Sequence, residues 1–383
     1  MKKILVVTGT RADYGQLRLL IKGINDSKNL QLILVATGSH LSKKFGNTYK
    51  SIEEDGFHIN YKINILGSSD TSKYLTKALG NLIGKLANIF NKESPELVLI
   101  LGDRYEMLAA AVSSLMARIP IAHIHGGEIT EGAIDDSIRH SISKMSHLHF
   151  VAHKEYQKRV MQLGEDKKNI HIVGGLGVDC ISKTKLLSRQ DLESALGWRF
   201  GEKNILVTFH PVTLENMTSK KQIMELLSAL AELKNTHIIF TMPNADPDSL
   251  IITFKIQQFV KKYKNAELYP SLGQVKYLST INQVDCVIGN SSSGLCEVPS
   301  FKKPTVNIGD RQKGRVKAES VIDCEPNKLD ILKAINKAYS KNFQKGLKCV
   351  KNPYGNGNAS KKILKCLEKK INHLTLKKSF IDT

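Results

Sequence analysis

The stretch ELVLILGDRYEMLAAAVSSLMARIPIAHIHGG (96–127) places two apolar runs around a segment with helical spacing. The runs 96–103 and 119–127 are almost continuously apolar, which is typical of parallel strands buried on both faces. Between them, apolar residues recur at the i, i+3, i+4 and i+7 positions of a helix: Leu108, Ala111, Val112 and Leu115. The stretch therefore predicts a strand, a helix and a second, parallel strand.

The same alternation continues in both directions along the chain. Further apolar runs occupy 2–9, 32–39, 147–152, 169–175, 205–211, 236–243, 266–270, 285–293 and 304–310. Helical spacing follows the first run and the run 119–127, at Leu17, Leu20, Ile21 and Ile24 and at Ile138, Ile142 and Met145. A polar, turn-rich stretch at 176–202 divides the alternation in two. We therefore predict an α/β chain of two Rossmann-like, doubly wound domains, 1–175 and 185–360, with an interdomain cleft.

The charge and composition of the 383 residues narrow the class of protein. There are 56 Lys and Arg against 36 Asp and Glu, a net charge of +20, but the lysines are scattered. This favours a dispersed field that attracts anionic small molecules over nucleic-acid binding, with plain lysine-rich composition as the alternative. No apolar run reaches membrane-spanning length and no leader is evident, so we expect a cytoplasmic protein that does not bind membranes. Six cysteines without a CxxC pair indicate reduced, structural thiols.

Polar residues follow the first and third predicted strands, where ligands bind in open α/β sheets. In TGTRADYG, Arg11 stands at a helix N-terminus, which is a phosphate-binding arrangement. A solvated arginine at a plain turn is the alternative, and the absence of GxGxxG leaves nicotinamide binding unsupported. In LGDRYE, Asp103 either acts in catalysis or caps the next helix.

HIHGGE (123–128) can be read in three ways. Side chains two apart on a strand share a face, so His123 and His125 can point at one Zn²⁺ or Mn²⁺ ion with Glu128 as third ligand. The residues can instead form a metal-free acid/base cluster, or His123 can be a buried structural residue. No HxxxH or HExxH pairing supports the metal reading.

The segment that follows is rich in carboxylates and predicts a helix at 137–145. Asp135 or Asp136 is placed to cap that helix. Arg139 lies one turn after Asp135 on the same face, so the two can act together.

The second half of the chain carries its own strand-end residues. His210 follows the strand ILVTF, and PNAD places Asn244 after the next. In GNSSSGLCE (289–297) we predict a helix near Gly294 with phosphate held by hydroxyls and backbone amides of Asn290, Ser291 and Ser292. Glu297, one turn into the helix, is placed for ribose hydroxyls, and Arg311 and Arg315 stand at the next strand end. A nucleotide diphosphate fits this pattern, and simple helix capping by the serines is the alternative.

These motifs together resemble one known family. TGTRADYG, LGDRYE, HIHGGE, DDSIRHSISKMSHLHF, FHPVT, GNSSSG and IGDRQKGR resemble, in order from residue 1 to about 360, the hydrolysing UDP-N-acetylglucosamine 2-epimerases of the bacterial sialic-acid branch. The resemblance implies the glycosyltransferase-B fold of two Rossmann-like domains. It also implies a C-terminal helix, here 360–380, joined to the first domain, and a homodimer or homotetramer.

The resemblance implies a reaction as well: conversion of UDP-N-acetylglucosamine to UDP and N-acetylmannosamine, for sialic acid and surface polysaccharide. Anti elimination of UDP yields 2-acetamidoglucal, and hydration then inverts C2. This needs carboxylates as base and acid and cations at the diphosphate, but no cofactor and no metal.

Residue roles carried over from the family are implied in the same way. Asp103 and Asp135 match the catalytic carboxylates, Arg139 supports them and His210 matches a substrate contact. The matched UDP-binding positions are Arg11, Asn244, Ser291, Ser292, Glu297 and Arg311.

One position departs from the wider family, which has HIEGGE or HVEAG with a catalytic glutamate where this chain has His125. Either His125 or Glu128 then takes over proton transfer. Three other readings stay open: the same chemistry on an NDP-2,4-diacetamido-2,4,6-trideoxy sugar of legionaminic acid synthesis, a glycosyltransferase, and a metal-dependent hydrolase resting on HxH.

Overall fold

The computed structural model describes residues 1–67, 71–131, 133–212, 218–243 and 248–382. Among these residues, contacts between Cα atoms define two compact units. The first unit comprises Met1–Glu128, Ile134–Cys180 and Tyr354–Thr383. The second comprises Ile129–Ala133 and Ile181–Pro353.

Strands and helices alternate along the described residues. The strands are β1 Lys2–Thr8, β2 Leu30–Thr37, β3 Tyr61–Ile63, β4 Leu97–Leu101, β5 Ile121–Ile124, β6 Leu148–Val151, β7 Ile170–Ile172, β8 Lys203–Thr208, β9 Thr236–Thr241, β10 Ala266–Tyr269, β11 Cys286–Gly289, β12 Thr305–Ile308 and β13 Val321–Cys324. The helices are α1 Arg11–Asn25, α2 Tyr49–Glu54, α3 Ser72–Glu93, α4 Tyr105–Met116, α5 Asp135–Met145, α6 Lys154–Gln162, α7 Leu176–Lys183, α8 Arg189–Leu196, α9 Thr218–Leu230, α10 Ser249–Lys262, α11 Gly273–Gln283, α12 Ser293–Cys296, α13 Lys328–Tyr339, α14 Lys341–Gly346 and α15 Ala359–Lys370. No helix among them is long and apolar enough to cross a membrane.

Each unit contains one parallel sheet with the doubly wound topology that the sequence predicts. The first sheet has the order β3-β2-β1-β4-β5-β6-β7 and the second has the order β10-β9-β8-β11-β12-β13. Strand order therefore reverses between β1 and β4 in one sheet and between β8 and β11 in the other. Ligands bind beyond the carboxyl ends of strands at such points. The predicted fold class is confirmed.

The continuously apolar strands bury side chains on both faces of a sheet. In β4, Leu97, Leu99 and Leu101 pack into the core on one face. Val98 and Ile100 pack into the core on the other face. Every predicted strand is present. Two short strands, β3 and β13, are not predicted by the sequence, because as edge strands they keep exposed polar positions.

Two predictions about helices are wrong in detail. Helix α5 begins at Asp135 rather than at 137, and its N-cap residue is the apolar Ile134. Asp135 and Asp136 therefore lie in its first turn, where the helix dipole favours carboxylates. The C-terminal helix ends at Lys370 rather than at 380. The long helix α3 was not predicted.

Candidate functional site

The carboxyl end of β4 places Asp103 against an arginine from α5. Arg139 is 1% exposed and pairs with Asp103, whose side chain is 20% exposed. The guanidinium also donates to the backbone carbonyl of Glu128 at 2.9 Å and to Asp136 Oδ1 at 3.3 Å. Arg104, the N-cap residue of α4, makes no side-chain capping bond. The buried cation of Arg139 holds the Asp103 carboxylate.

His123 is a structural residue of β5. It is fully buried, with Nδ1 3.0 Å from Ser143 Oγ and Nε2 2.8 Å from the Gly102 carbonyl. Burial lowers its pKa to about 3, so the imidazole is neutral at ordinary pH. Both ring nitrogens thus contact groups within the protein, and these contacts join the end of β4 to α5.

His125 does not continue the strand that carries His123. Strand β5 ends at Ile124, and His125 has a φ of +66°, in the left-handed region. The two-residue alternation on which the shared metal ion rests is therefore broken at this point. Among the residues that the structure describes, no group of three or more His, Cys, Asp and Glu is arranged to hold a metal ion.

His125 instead pairs with Glu128. His125 Nδ1 lies 3.1 Å from Glu128 Oε1, with side chains 13% and 2% exposed. The backbone N–H of Leu176 donates to His125 Nε2 at 3.4 Å. A neutral imidazole that accepts at Nε2 carries its proton on Nδ1, the nitrogen nearer to Glu128. An imidazole and a carboxylate therefore lie side by side after β5.

The first turn of α5 adds two half-buried carboxylates to this edge of the sheet. Asp135 and Asp136 are both in that turn. Asp136 Oδ2 lies 3.5 Å from His140 Nε2, and burial lowers the pKa of that histidine. Arg139 of α5 thus joins Asp103, the backbone of Glu128 and Asp136.

The turn after β1 is filled by the chain's own carboxylate. Asp13 Oδ2 accepts from the Gly9 N–H at 2.7 Å, and Asp13 also pairs with the hydroxyl of Thr10. The Gly9 N–H and the Thr10 hydroxyl therefore already bind Asp13, and Arg11 at the start of α1 is half-buried. Asp13 was not predicted, although a threonine followed three residues later by an acid is a known capping signal.

In the second unit, Asn290 links β11 to the loop after β8. Its amide accepts from the His210 N–H at 2.7 Å and donates to the His210 carbonyl at 2.8 Å. Its own carbonyl accepts from Arg311 at 3.1 Å and from Gln312 at 2.9 Å. Asn290 is fully buried, and these bonds join it to His210, Arg311 and Gln312.

The structure of the serine-containing segment 289–297 differs from the predicted one. Helix α12 starts at Ser293 and lasts four residues, so Glu297 lies at its C-terminal end and not one turn inside a longer helix. Glu297 pairs with the Ser293 hydroxyl, which also accepts from Tyr277 at 2.8 Å. Ser292 at the N-cap makes no side-chain capping bond. Asn244 lies outside the described residues.

Comparisons with known proteins show the family to which the chain is similar. The model of the UDP-N-acetylglucosamine 2-epimerase family matches residues 22–368. The chain is 46% identical to the GDP/UDP-N,N'-diacetylbacillosamine 2-epimerase (hydrolyzing) of Campylobacter jejuni, over 100% of this chain and 99% of that protein. It is 41% identical to the polysialic acid biosynthesis protein P7 of Escherichia coli, over 94% of this chain and 92% of that protein.

Solved structures share the fold. A crystal structure of UDP-GlcNAc 2-epimerase from Neisseria meningitidis, bound to UDP-GlcNAc, has a TM-score of 0.82 at 19% identity and covers 96% of this chain and 100% of its own. At that identity the likeness concerns the glycosyltransferase-B fold alone. The family match and the full-length relatives carry the assignment: the chain belongs to the UDP-N-acetylglucosamine 2-epimerase family.

Proposed function

We propose that the protein is a hydrolysing 2-epimerase that converts UDP-N-acetylglucosamine to UDP and N-acetylmannosamine. The observation that carries the proposal is the cluster in which Arg139 joins Asp103, the Glu128 backbone and Asp136 at the carboxyl edge of the first sheet. An elimination and a hydration at neighbouring sugar carbons need several carboxylates within reach of one ring. This edge provides them.

The reaction divides into two proton transfers. A base removes the C2 proton while the C1–O bond to UDP breaks, which gives 2-acetamidoglucal. Water then adds to C1, and an acid returns a proton to the opposite face of C2. We assign these transfers to Asp103 and Asp135, with Arg139 holding the Asp103 carboxylate in place. Neither step changes the oxidation state overall, so the sequence of steps requires no nicotinamide.

The His125–Glu128 pair is our candidate for the third proton-transfer group. Nδ1 of His125 lies 3.1 Å from Glu128 Oε1, which supports the exchange of one proton between the two side chains. We therefore propose that they act as a unit, in place of the single glutamate found elsewhere in the family.

UDP binding is assigned to the second unit. Ser291 and Ser292 are half-buried hydroxyls at a loop end, and Arg311 supplies positive charge beside them. We propose that these groups and His210 hold the diphosphate and that Glu297 contacts the ribose. Arg11 and Asn244 remain proposed UDP contacts, and Asn290 is proposed as the residue that positions His210.

The test is turnover of UDP-N-acetylglucosamine in D₂O with EDTA, followed by proton NMR. We expect UDP and N-acetylmannosamine that carries deuterium at C2, because the returned proton comes from solvent. Product without deuterium would contradict the elimination, and activity that appears only after metal is restored would contradict the metal-free assignment.

A second candidate substrate has the same reacting carbons. The 46% identity to the Campylobacter enzyme favours an NDP-linked 2,4-diacetamido-2,4,6-trideoxy sugar. The two sugars differ at C4 and C6, away from the proton transfers. Comparing kcat/KM on both substrates decides between them: a preference of tenfold or more for the diacetamido sugar would replace our first candidate and keep the mechanism.

A further inference from the structure

The residues after the last helix belong to the first unit and pack near the end of α5 and the turn after α6. We call residues 374–382 the C-terminal tail. The N–H of Ile381 donates to the Gly164 carbonyl at 3.0 Å, and the Phe380 ring lies against Gly164 so closely that no side chain would fit there. His147 Nε2 lies 3.3 Å from the Leu376 carbonyl. The tail is thus held by contacts along its length, although it forms no helix.

Lys378 is the residue through which the tail meets α5. Its side chain is 23% exposed. Its ammonium donates to the carbonyl of Lys144 at 2.7 Å and to the carbonyl of Ser146 at 2.6 Å. These carbonyls belong to the end of α5, where helix groups lack partners within the helix. A lysine at this position satisfies them and complements the helix dipole.

A buried carboxylate fixes the ammonium of Lys378. Both Glu165 oxygens lie 2.9 Å from Lys378 Nζ, and Glu165 also contacts Lys144 at 2.9 Å and His149 at 3.2 Å. Although burial opposes ionisation, hydrogen bonds from His149, Lys378 and Lys144 lower the pKa of Glu165 to about 2. The carboxylate is therefore charged throughout the neutral range.

We propose that the C-terminal tail is a positioning element for the active site, in which Lys378 holds α5 in register through its C-terminal carbonyls. The inference rests on the proposed function, because α5 carries Asp135 in its first turn and Arg139 one turn later. A helix behaves as one rigid body over this length. Release at one end therefore displaces the groups that face Asp103 at the other.

The test compares Lys378→Met with Lys377→Met, an exposed neighbour on the same tail. We expect Lys378→Met to lower kcat about tenfold with KM changed less than twofold. Hydrogen exchange of the amides in 140–146 should rise in the same variant. Lys378→Arg should retain at least half of the wild-type kcat, because it keeps the charge and the donors. Deletion of 375–383 should reproduce the loss caused by Lys378→Met.

Two results would overturn the inference. One is equal kcat for Lys378→Met and Lys377→Met. The other is a loss of kcat that matches the loss of folded protein while exchange in α5 stays at the wild-type level. The exchange measurement needs no substrate, so the coupling between tail and helix is decided even where the wild-type protein fails to turn over and the proposed function itself falls.

Discussion

At the scale of single residues, the contact between Asp103 and Arg139 makes the sharpest prediction. Asp103→Asn removes the proposed carboxylate and one of the two carboxylates that pair with Arg139, which is 1% exposed. We expect kcat to fall by at least about 10²-fold, the usual size of an acid/base effect. Steady-state kinetics by NMR or by coupled UDP release measures it.

The matched control for Asp103→Asn is Glu155→Gln, the same chemical change at an exposed carboxylate of α6. It should leave kcat within twofold of wild type. An Asp103→Asn variant as active as this control would remove Asp103 from the mechanism.

The His125–Glu128 pair predicts coupling between two substitutions. If the two side chains share one proton, His125→Ala and Glu128→Gln each remove the same function. The kcat of the double variant then equals that of the less active single variant. We expect about 10²-fold loss in kcat for all three proteins. Losses that multiply in the double variant would show that the residues act independently.

Residue types at strand ends point to the correct edge of the sheet but do not reveal how each side chain is used. The family resemblance implies that Arg139 supports Asp103, whereas the residues alone paired Arg139 with Asp135, one turn earlier on the same helix face. Asn290 is an example: its place in GNSSSG predicts a ligand contact, and the structure shows in addition that its side-chain amide bonds the backbone of His210 on both sides. Such long-range bonds leave no mark in the local pattern.

At the scale of elements, the cap of α15 is provided from far away in the sequence. Asp179 of α7 is fully buried and accepts from the N–H groups of Ala359 and Ser360, both at 2.6 Å. Asp179→Asn replaces one acceptor by a donor that faces an N–H. We expect it to lower the free energy of unfolding by about 2 kcal/mol, measured in urea by circular dichroism.

Glu368→Gln on the exposed face of α15 is the control for Asp179→Asn. Its contact with Ser27 is at the surface, so the change should stay below about 0.5 kcal/mol. Equal stability of the two variants would contradict the capping role.

The end of β11 requires glycine. Gly289 has a φ of +137°, and a β-carbon there would overlap the carbonyl of Thr208 in β8. We expect Gly289→Ala to lower the free energy of unfolding by at least about 2 kcal/mol. Gly346→Ala is the control, since Gly346 has helical dihedrals and no atom within 4 Å of an added β-carbon. A Gly289→Ala protein as stable as Gly346→Ala would mean that the strand end relaxes freely.

Elements with strong periodicity were predictable, and those defined by tertiary contacts were not. The central strands carry apolar runs that have few other interpretations. The start of α5 was misplaced by two residues because its first turn lacks a side-chain cap, the signal by which such a start is recognised. The end of α15 was placed too late, because the lysine pattern continues into the C-terminal tail while the helical backbone does not.

At the scale of the whole molecule, low pH reduces the stability of the fold through both the net charge and the buried histidines. The chain already carries +20 at neutral pH, and protonation of carboxylates increases the repulsion. His123 has its pKa lowered to about 3 by burial, and burial also lowers the pKa of His149. At these histidines the unfolded chain therefore binds protons near pH 6.5, whereas the folded chain does not.

The sign of the pH effect follows from these shifts. As the pH falls from about 6.5 towards 3, the unfolded state gains protons at His123 while the folded state does not, so stability falls. Glu165 causes a second loss of stability as the pH falls from its ordinary pKa of 4.5 to its folded pKa of about 2.

We expect the melting temperature to decline from pH 6.5 to pH 4. His123→Asn, which cannot titrate, should flatten that slope, whereas the exposed His58→Gln should keep it. An unchanged slope in His123→Asn would assign the acid sensitivity to charge repulsion and not to the buried imidazole that ties β4 to α5.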